Sequence, residues 1–405
     1  MNEALTDNAI FSGVYTLVRD ALGAEWSWLA YFLGGMAVIM IVVNAFLLLG
    51  TLFTWMERKV VGRLQSRVGP NRAGPFGLLQ AIADAIKLLF KEDIVPRQAD
   101  RLVFNLAPIA MMAPSVLALA VIPFGRGSFV ADLNIGLLYL VAVSGIASLA
   151  VLMAGYASAN RLALFGSMRA VAMLVSYEIP LVMSLLAVTI LAGSMSLVSV
   201  VEAQHIPYLL VTPLGVGIFL TAISAELNRP PFDVTEAESE LVAGYLTEYS
   251  GMKFGVFYLA EFANVILAGA IFAVLFLQGY EWPFLPSHVW FLLKVMAFAV
   301  VATWIRGTLP RMRLDQILTF AWKFLFPLSL INVLALAVEV LVWPEPTAGQ
   351  LLIMGAINWG IALAALIVFS RIVSLHSRPV QSLPDVLARP GSPASSASSA
   401  QMEVR

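Results

Sequence analysis

Long apolar runs, separated by shorter polar segments, dominate the pattern of residues along this chain. A helix that crosses the hydrocarbon core of a bilayer needs about 20 consecutive, mostly apolar residues. Nine segments meet this requirement, and they lie near residues 29–55, 102–123, 135–157, 171–192, 206–224, 254–277, 288–305, 319–342 and 350–372. The pattern therefore predicts an all-α fold, a polytopic membrane bundle of about nine transmembrane helices.

A further helix is predicted over residues 76–91, between the first two spans. Its polar residues Gln80, Asp84, Lys87 and Lys91 fall within a stripe about 60° wide, because successive residues turn by about 100°. The rest of its surface is apolar. This amphipathic helix on the cytoplasmic side either lies at the interface with its stripe toward water or packs among other helices with the stripe facing a cavity.

The remaining segments complete the predicted domain organisation. Residues 1–28 form an external N-terminal segment, and residues 29–376 form the membrane domain. The tail 377–405 is rich in Ser, Pro and Ala, which offer little to pack, so we predict that it is disordered.

The composition supports a membrane protein and limits its redox chemistry. Only 12% of the residues are charged and 60% are hydrophobic, whereas soluble domains carry roughly 25% charged residues. The chain has no cysteine, so it cannot hold an iron–sulfur cluster with its own thiolates. Its histidines, His205, His288 and His376, avoid the middle of the apolar runs. We therefore predict no bound metal, haem or flavin, and if the protein takes part in redox chemistry, the electrons must come from another subunit.

The basic residues predict the orientation. With nine spans and an external N-terminus, the cytoplasmic segments and the cytoplasmic ends of the spans contain 21 of the 24 Lys and Arg residues. Positive charge is retained on the cytoplasmic side. The chain is therefore predicted to lie with its N-terminus outside and its C-terminus in the cytoplasm.

Charged residues inside the spans are candidates for function, because each costs about 2.5–3.5 kcal/mol near a helix centre. Glu178, Glu261 and Lys294 lie within predicted spans, and Glu226 lies at the mouth of another. Burial disfavours the charged forms, so this graded line is predicted to exchange protons near neutral pH. The alternative is structural ion pairing, of Glu178 with Arg169 or of Glu261 with Lys294. Glu339, near an outer helix end, is predicted to reach the interface.

The cytoplasmic segment 225–253 is strongly acidic against the basic trend. It contains six carboxylates and Arg229 as their one intervening cation. Most charge runs are solvated loops. Here aromatic residues such as Phe232, Tyr245 and Tyr249 are interleaved with the acids, which favours partial burial or a docked partner.

These segments together resemble the H-type membrane subunit family of bacterial NADH-quinone oxidoreductase, respiratory complex I, the counterpart of mitochondrial subunit 1. The match runs from about residue 30 to residue 342. The motifs that carry it are Glu57-Arg58-Lys59, Gly69-Pro70-Asn71, Ser176-Tyr177-Glu178, Ala225-Glu226, Asn228-Arg229, Pro231-Phe232-Asp233, Glu238-Ser239-Glu240-Leu241-Val242, Glu248-Tyr249-Ser250-Gly251 and Arg306-Gly307-Thr308-Leu309-Pro310-Arg311.

The resemblance implies a subunit that joins the membrane arm of the complex to its peripheral arm. Such a subunit forms most of the tunnel in which quinone, ubiquinone or menaquinone, approaches an iron–sulfur cluster carried by a partner. The implied quinone-cavity residues are Arg58, Asp84, Lys87, Phe232, Glu236, Glu240 and Arg306. The implied residues linking quinone to proton translocation are Glu178, Glu226 and Glu261, to which the charge pattern adds Lys294.

The implied partners are the peripheral-arm subunits, the neighbouring small membrane subunits and the lipid bilayer, with no nucleic acid. Two departures from the family pattern are Tyr156 after Gly155, where many relatives have Trp, and a span 135–157 without an acidic residue.

Two other functions fit parts of the pattern. A homologous membrane subunit of a membrane-bound hydrogenase-type complex is the nearer alternative. A stand-alone ion transporter is the other, and it is disfavoured because such transporters usually contain internal repeats, which this chain lacks.

Overall fold

The computed structural model of the protein describes residues 9–234, 242–344 and 346–376, and within these ranges its regular structure is helical. Residues Met1–Trp359 and Gly360–Arg405 form two separate units. We number the α-helices in chain order: α1 Ala9–Leu22, α2 Ser27–Leu64, α3 Gln80–Leu89, α4 Arg101–Ala118, α5 Gly136–Ala157, α6 Arg161–Ala192, α7 Leu197–Ala203, α8 Tyr208–Val211, α9 Pro213–Glu226, α10 Gly251–Phe276, α11 Ser287–Thr308, α12 Leu314–Phe320, α13 Phe326–Val342 and α14 Ala348–His376.

The predicted all-α membrane bundle is confirmed. Eight helical segments of the described chain are long and apolar enough to span a bilayer: α2, α4, α5, α6, α10, α11, the continuous segment Leu314–Val342 and the Ala348–Arg371 part of α14. The predicted span 206–224 takes a different form, as the short helices α8 and α9 separated at Thr212. Pro213 follows this break, and it has no N–H with which to continue the helix.

The first span is longer than predicted, and the N-terminal segment contains a helix that was not predicted. Helix α2 continues to Leu64, past the predicted end at residue 55, and so carries Glu57 and Arg58 on regular helix. The segment predicted to be external contains α1, which packs against α2 through an edge-on contact between Phe11 and Tyr31.

Side-chain caps explain where several helices begin. The carboxylate of Asp100 accepts hydrogen bonds from the N–H groups of Leu102 and Val103 at the start of α4. Asn160 caps α6, and Ser196 caps α7 in the same way. These caps satisfy backbone donors that the first helical turn leaves unpaired.

Contacts between loops define the two ends of the bundle. Lys253 pairs with Asp93, Arg311 with Asp233, and Asn160 hydrogen-bonds to Glu248. The segments 65–100, 227–234, 242–250 and 309–313 therefore meet at one end. We call this the basic end, because the first of these segments carries most of the positive charge between the spans. At the opposite end Arg126 pairs with Glu281, and Ser196 bonds to Asp132.

Small and aromatic residues pack the interior next to the basic end. The rings of Phe104 and Tyr249 stack with centroids 4.1 Å apart, and Phe257 packs edge-on against Tyr249. Buried alanines, including Ala150 and Ala154, let α5 approach this cluster closely. The packing fixes residues 242–250 against the membrane helices, so this part of the acidic segment 225–253 is partly buried. Glu236, Glu238 and Glu240 of the same segment lie outside the described residues.

Candidate functional site

A buried group of charges lies at the basic end, and Glu57 is its centre. The Glu57 carboxylate accepts a hydrogen bond from Arg229 at 2.7 Å and a second one from Arg306. Another nitrogen of the Arg229 guanidinium lies 3.6 Å from the carboxylate of Glu261. The side chains of Glu57 and Arg229 are only 7% and 5% exposed. The four residues therefore form a nearly enclosed ionic cluster with two acids and two cations.

Four separate elements position these side chains. Glu57 comes from α2, Glu261 from α10, and Arg306 from the last turn of α11. Arg229 lies in the turn that follows α9, where its N–H bonds to the carbonyl of Ser224. Because burying an unpaired charge is costly, each cation in this region is held by the opposite charges around it.

Aromatic rings complete the surroundings of Arg229. Its guanidinium carbon lies 5.9 Å from the ring centre of Phe53 and 5.4 Å from that of Phe262. Phe53 is one turn before Glu57, and Phe262 is next to Glu261. The same two helices therefore supply an acid and an adjacent ring to the cation, which adds a cation–π contribution to the ion pairs.

The predicted amphipathic helix is α3, and its polar stripe meets Arg58. Arg58 donates to Asp84 at 2.6 Å, Lys87 lies 3.7 Å from the same carboxylate, and Gln80 hydrogen-bonds to it. Partial burial of the Asp84 carboxyl favours a higher pKa, but hydrogen bonds from Arg58 and Gln80 and the nearby positive charges outweigh it and lower the pKa. Three predicted quinone-cavity residues, Arg58, Asp84 and Lys87, therefore lie together.

The apolar side of α3 is turned away from this ion pair. Its residues Ile82, Ile86 and Leu89 are exposed, whereas Leu88 packs against Gly255 of α10. Gln80 and Asp84 of the polar stripe face Arg58 of α2, whereas Lys87 is 67% exposed and Lys91 is exposed as well. Only part of the stripe is therefore directed toward another helix, and the placement of the whole stripe at a cavity stays a prediction.

Phe232 lies buried beside Tyr177, with ring centres 5.0 Å apart. The Tyr177 hydroxyl donates to the carbonyl of Ile317 at 3.0 Å, and the Trp322 indole donates to Ser176 at 3.2 Å. These two hydrogen bonds attach consecutive residues of α6 to the helical segment Leu314–Val342. They fix the rotation of α6, and therefore the direction of the next residue, Glu178.

Glu178 and Glu226 share an internal cavity of about 70 Å³, which a second cavity of about 40 Å³ adjoins. Asn264 and Ser144 line both cavities, and Asn228 lines the smaller one. The buried Asn228 side-chain oxygen has no hydrogen-bond partner among the described residues. A cavity can hold a water molecule when about 10–15 Å³ is open to the centre of a water-sized sphere, and both cavities exceed this volume. Such a water molecule also needs polar partners, which Glu178, Glu226 and Asn228 provide.

The ionic cluster and the cavity adjoin each other through neighbouring residues. Asn264, which lines the cavity, lies three residues after Glu261 on α10 and therefore on nearly the same helix face. Asn228 at the cavity precedes Arg229 in the cluster. Ser115 of α4 donates to Asn264 at 2.5 Å and fixes its amide. Residues adjacent in the chain to Arg229 and on the same helix face as Glu261 thus line the space around Glu226 and Glu178.

Lys294 lies elsewhere. Its ammonium group donates to the carbonyls of Leu277 and Gly279, at 2.6 and 2.7 Å, in the loop at the opposite end of the bundle. The ring of Trp282 lies 4.8 Å from the same nitrogen. Lys294 therefore neither continues the line of Glu178, Glu226 and Glu261 nor forms the alternative ion pair with Glu261.

The remaining site residues divide into those outside the described ranges and those that the sequence did not single out. Glu236 and Glu240 of the predicted quinone cavity lie outside the described residues. Sequence reasoning missed the roles of Glu57, Arg229 and Asn264 in the site. Glu57 and Arg229 were already inside the motifs, and a buried acid beside a basic run could have marked Glu57. No signal in the sequence distinguished Asn264.

Comparisons with known proteins give a consistent result. A family model described as NADH dehydrogenase matches residues 36–337. The chain is 48% identical over 339 residues to the H-type subunit of NADH-quinone oxidoreductase from Dehalococcoides mccartyi, a match that covers 84% of this chain and 95% of that protein. It is 46% identical over 331 residues to the same subunit from Brevibacillus brevis, covering 80% and 97%. It is 50% identical over 321 residues to the same subunit from Geobacillus kaustophilus, covering 77% and 95%.

Proposed function

This chain belongs to the H-type membrane subunit family of NADH-quinone oxidoreductase, and from that premise we propose that it binds quinone at the basic end and links quinone reduction to proton translocation through buried carboxylates. The chain is part of an enzyme complex, and its own part in the reaction is binding, orientation and proton handling. The names of the relatives favour a quinone reductase over the hydrogenase-type alternative.

The observation that supports this proposal is that Asn228 and Asn264, which lie close to Arg229 and Glu261 in the chain, line the cavity that holds Glu178 and Glu226. Quinone reduction consumes two electrons and two protons, and the electrons come from a partner subunit. A change of charge beside Glu57 and Arg229 alters the energy of the neighbouring ionisable groups. At about 4 Å and an effective dielectric constant of about 20, two unit charges interact by about 4 kcal/mol. Such an energy is large enough to change the protonation of a nearby carboxylate.

The proposed quinone cavity uses residues at the basic end. Arg306 of the ionic cluster, the Arg58, Asp84 and Lys87 group, and Phe232 lie there, and Glu236 and Glu240 complete the proposed set. The apolar surface of α3 suits a route for the long apolar tail of a quinone, because such surface is favourable in contact with lipid and isoprenoid chains.

The proposed proton path runs through Glu261, Glu226 and Glu178, with water in the two adjoining cavities. We leave Lys294 out of this path because its ammonium group is held by loop carbonyls at the opposite end. The proposed partners are the subunit that carries the terminal iron–sulfur cluster, docked at the basic end, and neighbouring small membrane subunits. The proposed location is the bacterial plasma membrane, with the basic end in the cytoplasm.

Substitution Glu178→Gln tests the coupling in the intact complex reconstituted into liposomes. We expect quinone reduction to continue while the number of protons translocated per electron pair falls by at least half. Glu202→Gln is the matched control, because Glu202 is exposed on α7 near the opposite end. Undiminished proton translocation by the Glu178→Gln complex, with normal quinone reduction, would contradict the proposed path.

Photoaffinity labelling with a quinone analogue tests the cavity assignment separately. We expect labelled residues within 57–101 and 225–253. Labels confined to other parts of the chain would overturn the assignment of the quinone cavity. The carboxylate path would still be tested independently by the proton translocation of the Glu178→Gln complex.

A further inference from the structure

A second buried polar group lies at the opposite end of the bundle, outside the site described above. Glu339, on the last turn of α13, was predicted to reach the interface, but this prediction is wrong, because the residue is only 7% exposed. One oxygen of its carboxyl group accepts a hydrogen bond from Asn358 at 3.0 Å. The other oxygen is buried and has no hydrogen-bond partner among the described residues.

The break between α8 and α9 explains why Asn358 is held there. An interrupted helix leaves carbonyl groups without their usual donors. The Asn358 amide donates to the carbonyl of Val211 at 3.1 Å, and the Trp359 indole donates to that of Leu210 at 3.2 Å. The last helix, α14, therefore supplies donors to the broken segment, and Asn358 bonds to the broken helix and to Glu339 with one amide group.

Asn332 provides a second unsatisfied group on the same helix face as Glu339. It lies two turns earlier on α13, about 10 Å away at 1.5 Å per residue. It is buried, and its amide nitrogen has no hydrogen-bond partner among the described residues. Gly215 of α9 lies against this nitrogen, which is 3.2 Å from the position of a Cβ atom on that glycine. An unsatisfied donor and an unsatisfied acceptor thus lie on one face of α13.

Charged side chains on the helices packed against α13 are concentrated toward the basic end. They are Arg161, Arg169 and Glu178 on α6, Glu226 on α9 and Lys323 in the turn before α13. Tyr177 on α6 is the other ionisable residue of these elements, and Tyr208 belongs to α8. Of these residues, only Tyr208 lies toward the Glu339 end. An ionised carboxylate without a cation is strongly disfavoured inside a membrane protein, whereas a protonated one is tolerated.

We propose that Glu339, Asn332 and Asn358 form a proton-binding site in which Glu339 carries an exchangeable proton. The free oxygen of Glu339 carries this proton in the neutral state and is a hydrogen-bond acceptor in the ionised state. The unpaired Asn332 amide adds a further polar group on the same face of α13. Asn358 holds the second carboxyl oxygen in both states.

This site is separate from the Glu178 and Glu226 cavity. Helix α9 extends from Gly215, beside Asn332, to Glu226, a distance of about 16 Å along its axis. The large side chain of Phe219 lies buried between these positions. Helix α14 therefore has a role of its own, because it completes a protonatable site at the end of the bundle remote from the ionic cluster.

Infrared difference spectroscopy tests the proposal by comparing the intact complex in liposomes in ordinary water and in deuterated water. We expect a carboxylic acid C=O band that shifts in deuterated water and is absent from the Glu339→Gln complex. Replacing Asn358 by Leu removes one hydrogen bond from the carboxyl, so the band should move to higher frequency. Glu281→Gln, at an exposed ion pair on the same end, is the matched control and should leave the band unchanged.

Several outcomes would overturn the proposal. If the deuterium-sensitive acid bands of the Glu339→Gln complex equal those of the wild type, Glu339 carries no exchangeable proton. A band that disappears with added sodium ions at constant pH shows that the site binds a cation instead of a proton. If Glu339→Gln prevents assembly, the Asn332→Leu and Asn358→Leu complexes decide the matter. An unchanged band in both of them overturns the site.

Discussion

The guanidinium of Arg229 lies 2.7 Å from the carboxylate of Glu57, although the two residues are 172 positions apart in the chain. The pair connects the helix that carries the basic motif with the turn that opens the acidic segment. Because both side chains are nearly enclosed, neither can exchange its partner for water. The charge balance of this pair is therefore a condition for the fold at the basic end as well as for any chemistry there.

Replacing Glu57 by Gln should strongly destabilise the subunit within its complex. Breaking a buried ion pair by removing one partner costs about 3–5 kcal/mol, because the remaining charge is left without compensation. The measurement is the thermal unfolding temperature of the purified complex, together with the amount assembled in the membrane. Glu281→Gln, which breaks the exposed pair with Arg126, should cost less than about 1 kcal/mol. Equal losses for the two variants would contradict the central role of Glu57.

The ion pair between Arg58 and Asp84 should persist into mildly acidic solution. The pKa of Asp84 is lowered, so its contribution to docking of α3 is complete above the usual aspartate pKa and is lost only as pH falls through the lowered value. The chain has no cysteine, so a single Leu88→Cys reports on docking through its labelling rate. We expect constant protection between about pH 7 and about pH 5, and faster labelling when Asp84→Asn is added. Protection that declines already at the start of this range would count against the ion pair.

Glycine at position 166 should be required for packing. A Cβ atom there would lie 2.8 Å from the Gly244 Cα and 3.0 Å from its carbonyl carbon, so Gly166→Ala forces two backbones apart. Overpacking of this kind costs about 1–3 kcal/mol. Gly217→Ala is the matched control on α9, since no atom lies within 4 Å of the corresponding Cβ position. Thermal unfolding should show a loss for the first variant and little change for the second.

Glu178 and Glu226 should act as a coupled pair. The two carboxyl groups line one cavity, and neighbouring residues with shared partners give non-additive effects. We expect the double Gln variant to lower proton translocation no further than the more severe single variant. The measurement is protons translocated per electron pair for both single variants and the double variant. Fully additive losses would indicate that the two residues belong to separate paths.

Lys294→Met should lower stability without uncoupling proton translocation. The ammonium group satisfies the carbonyls of Leu277 and Gly279, and hydrogen bonds to charged groups contribute about 1.5–3 kcal/mol. The thermal unfolding temperature should therefore fall, while protons translocated per electron pair remain at the wild-type value. A fall in this ratio, in a complex that still reduces quinone, would return Lys294 to the proton path.

The apolar runs predicted the membrane helices well because each run must satisfy its own backbone hydrogen bonds in lipid. They did not predict the break at Thr212, where Pro213 lacks an N–H and the carbonyls of Leu210 and Val211 accept hydrogen bonds from Trp359 and Asn358 far along the chain. Depth in a span agrees with the position of Glu178 at a cavity within the bundle, and its role in a proton path stays a prediction. The same depth was a poor guide for Lys294. The long lysine side chain reaches the loop beyond the opposite helix end, and counting residues along a span does not reveal that direction.

The partners of buried charges were likewise beyond the reach of the sequence. Glu57 stands beside Arg58 in the chain, yet its cations come from Arg229 and Arg306, on other elements. Adjacent residues on a helix point in different directions, so Arg58 pairs with Asp84 instead. Local spacing identified the charges, and only the packing of α2, α10 and α11 determined which of them meet.

A π-helical turn at Ala321–Leu325 joins α12 to α13. Such a turn inserts one extra residue without interrupting the helix, which rotates the preceding turns by about 100° relative to an uninterrupted α-helix. The Ile317 carbonyl and the Trp322 indole, before and within this turn, both hold α6 immediately before Glu178. The extra residue therefore determines how α6 is rotated about its own axis. Removing one residue from the π-helical turn would change the direction in which the Glu178 side chain points.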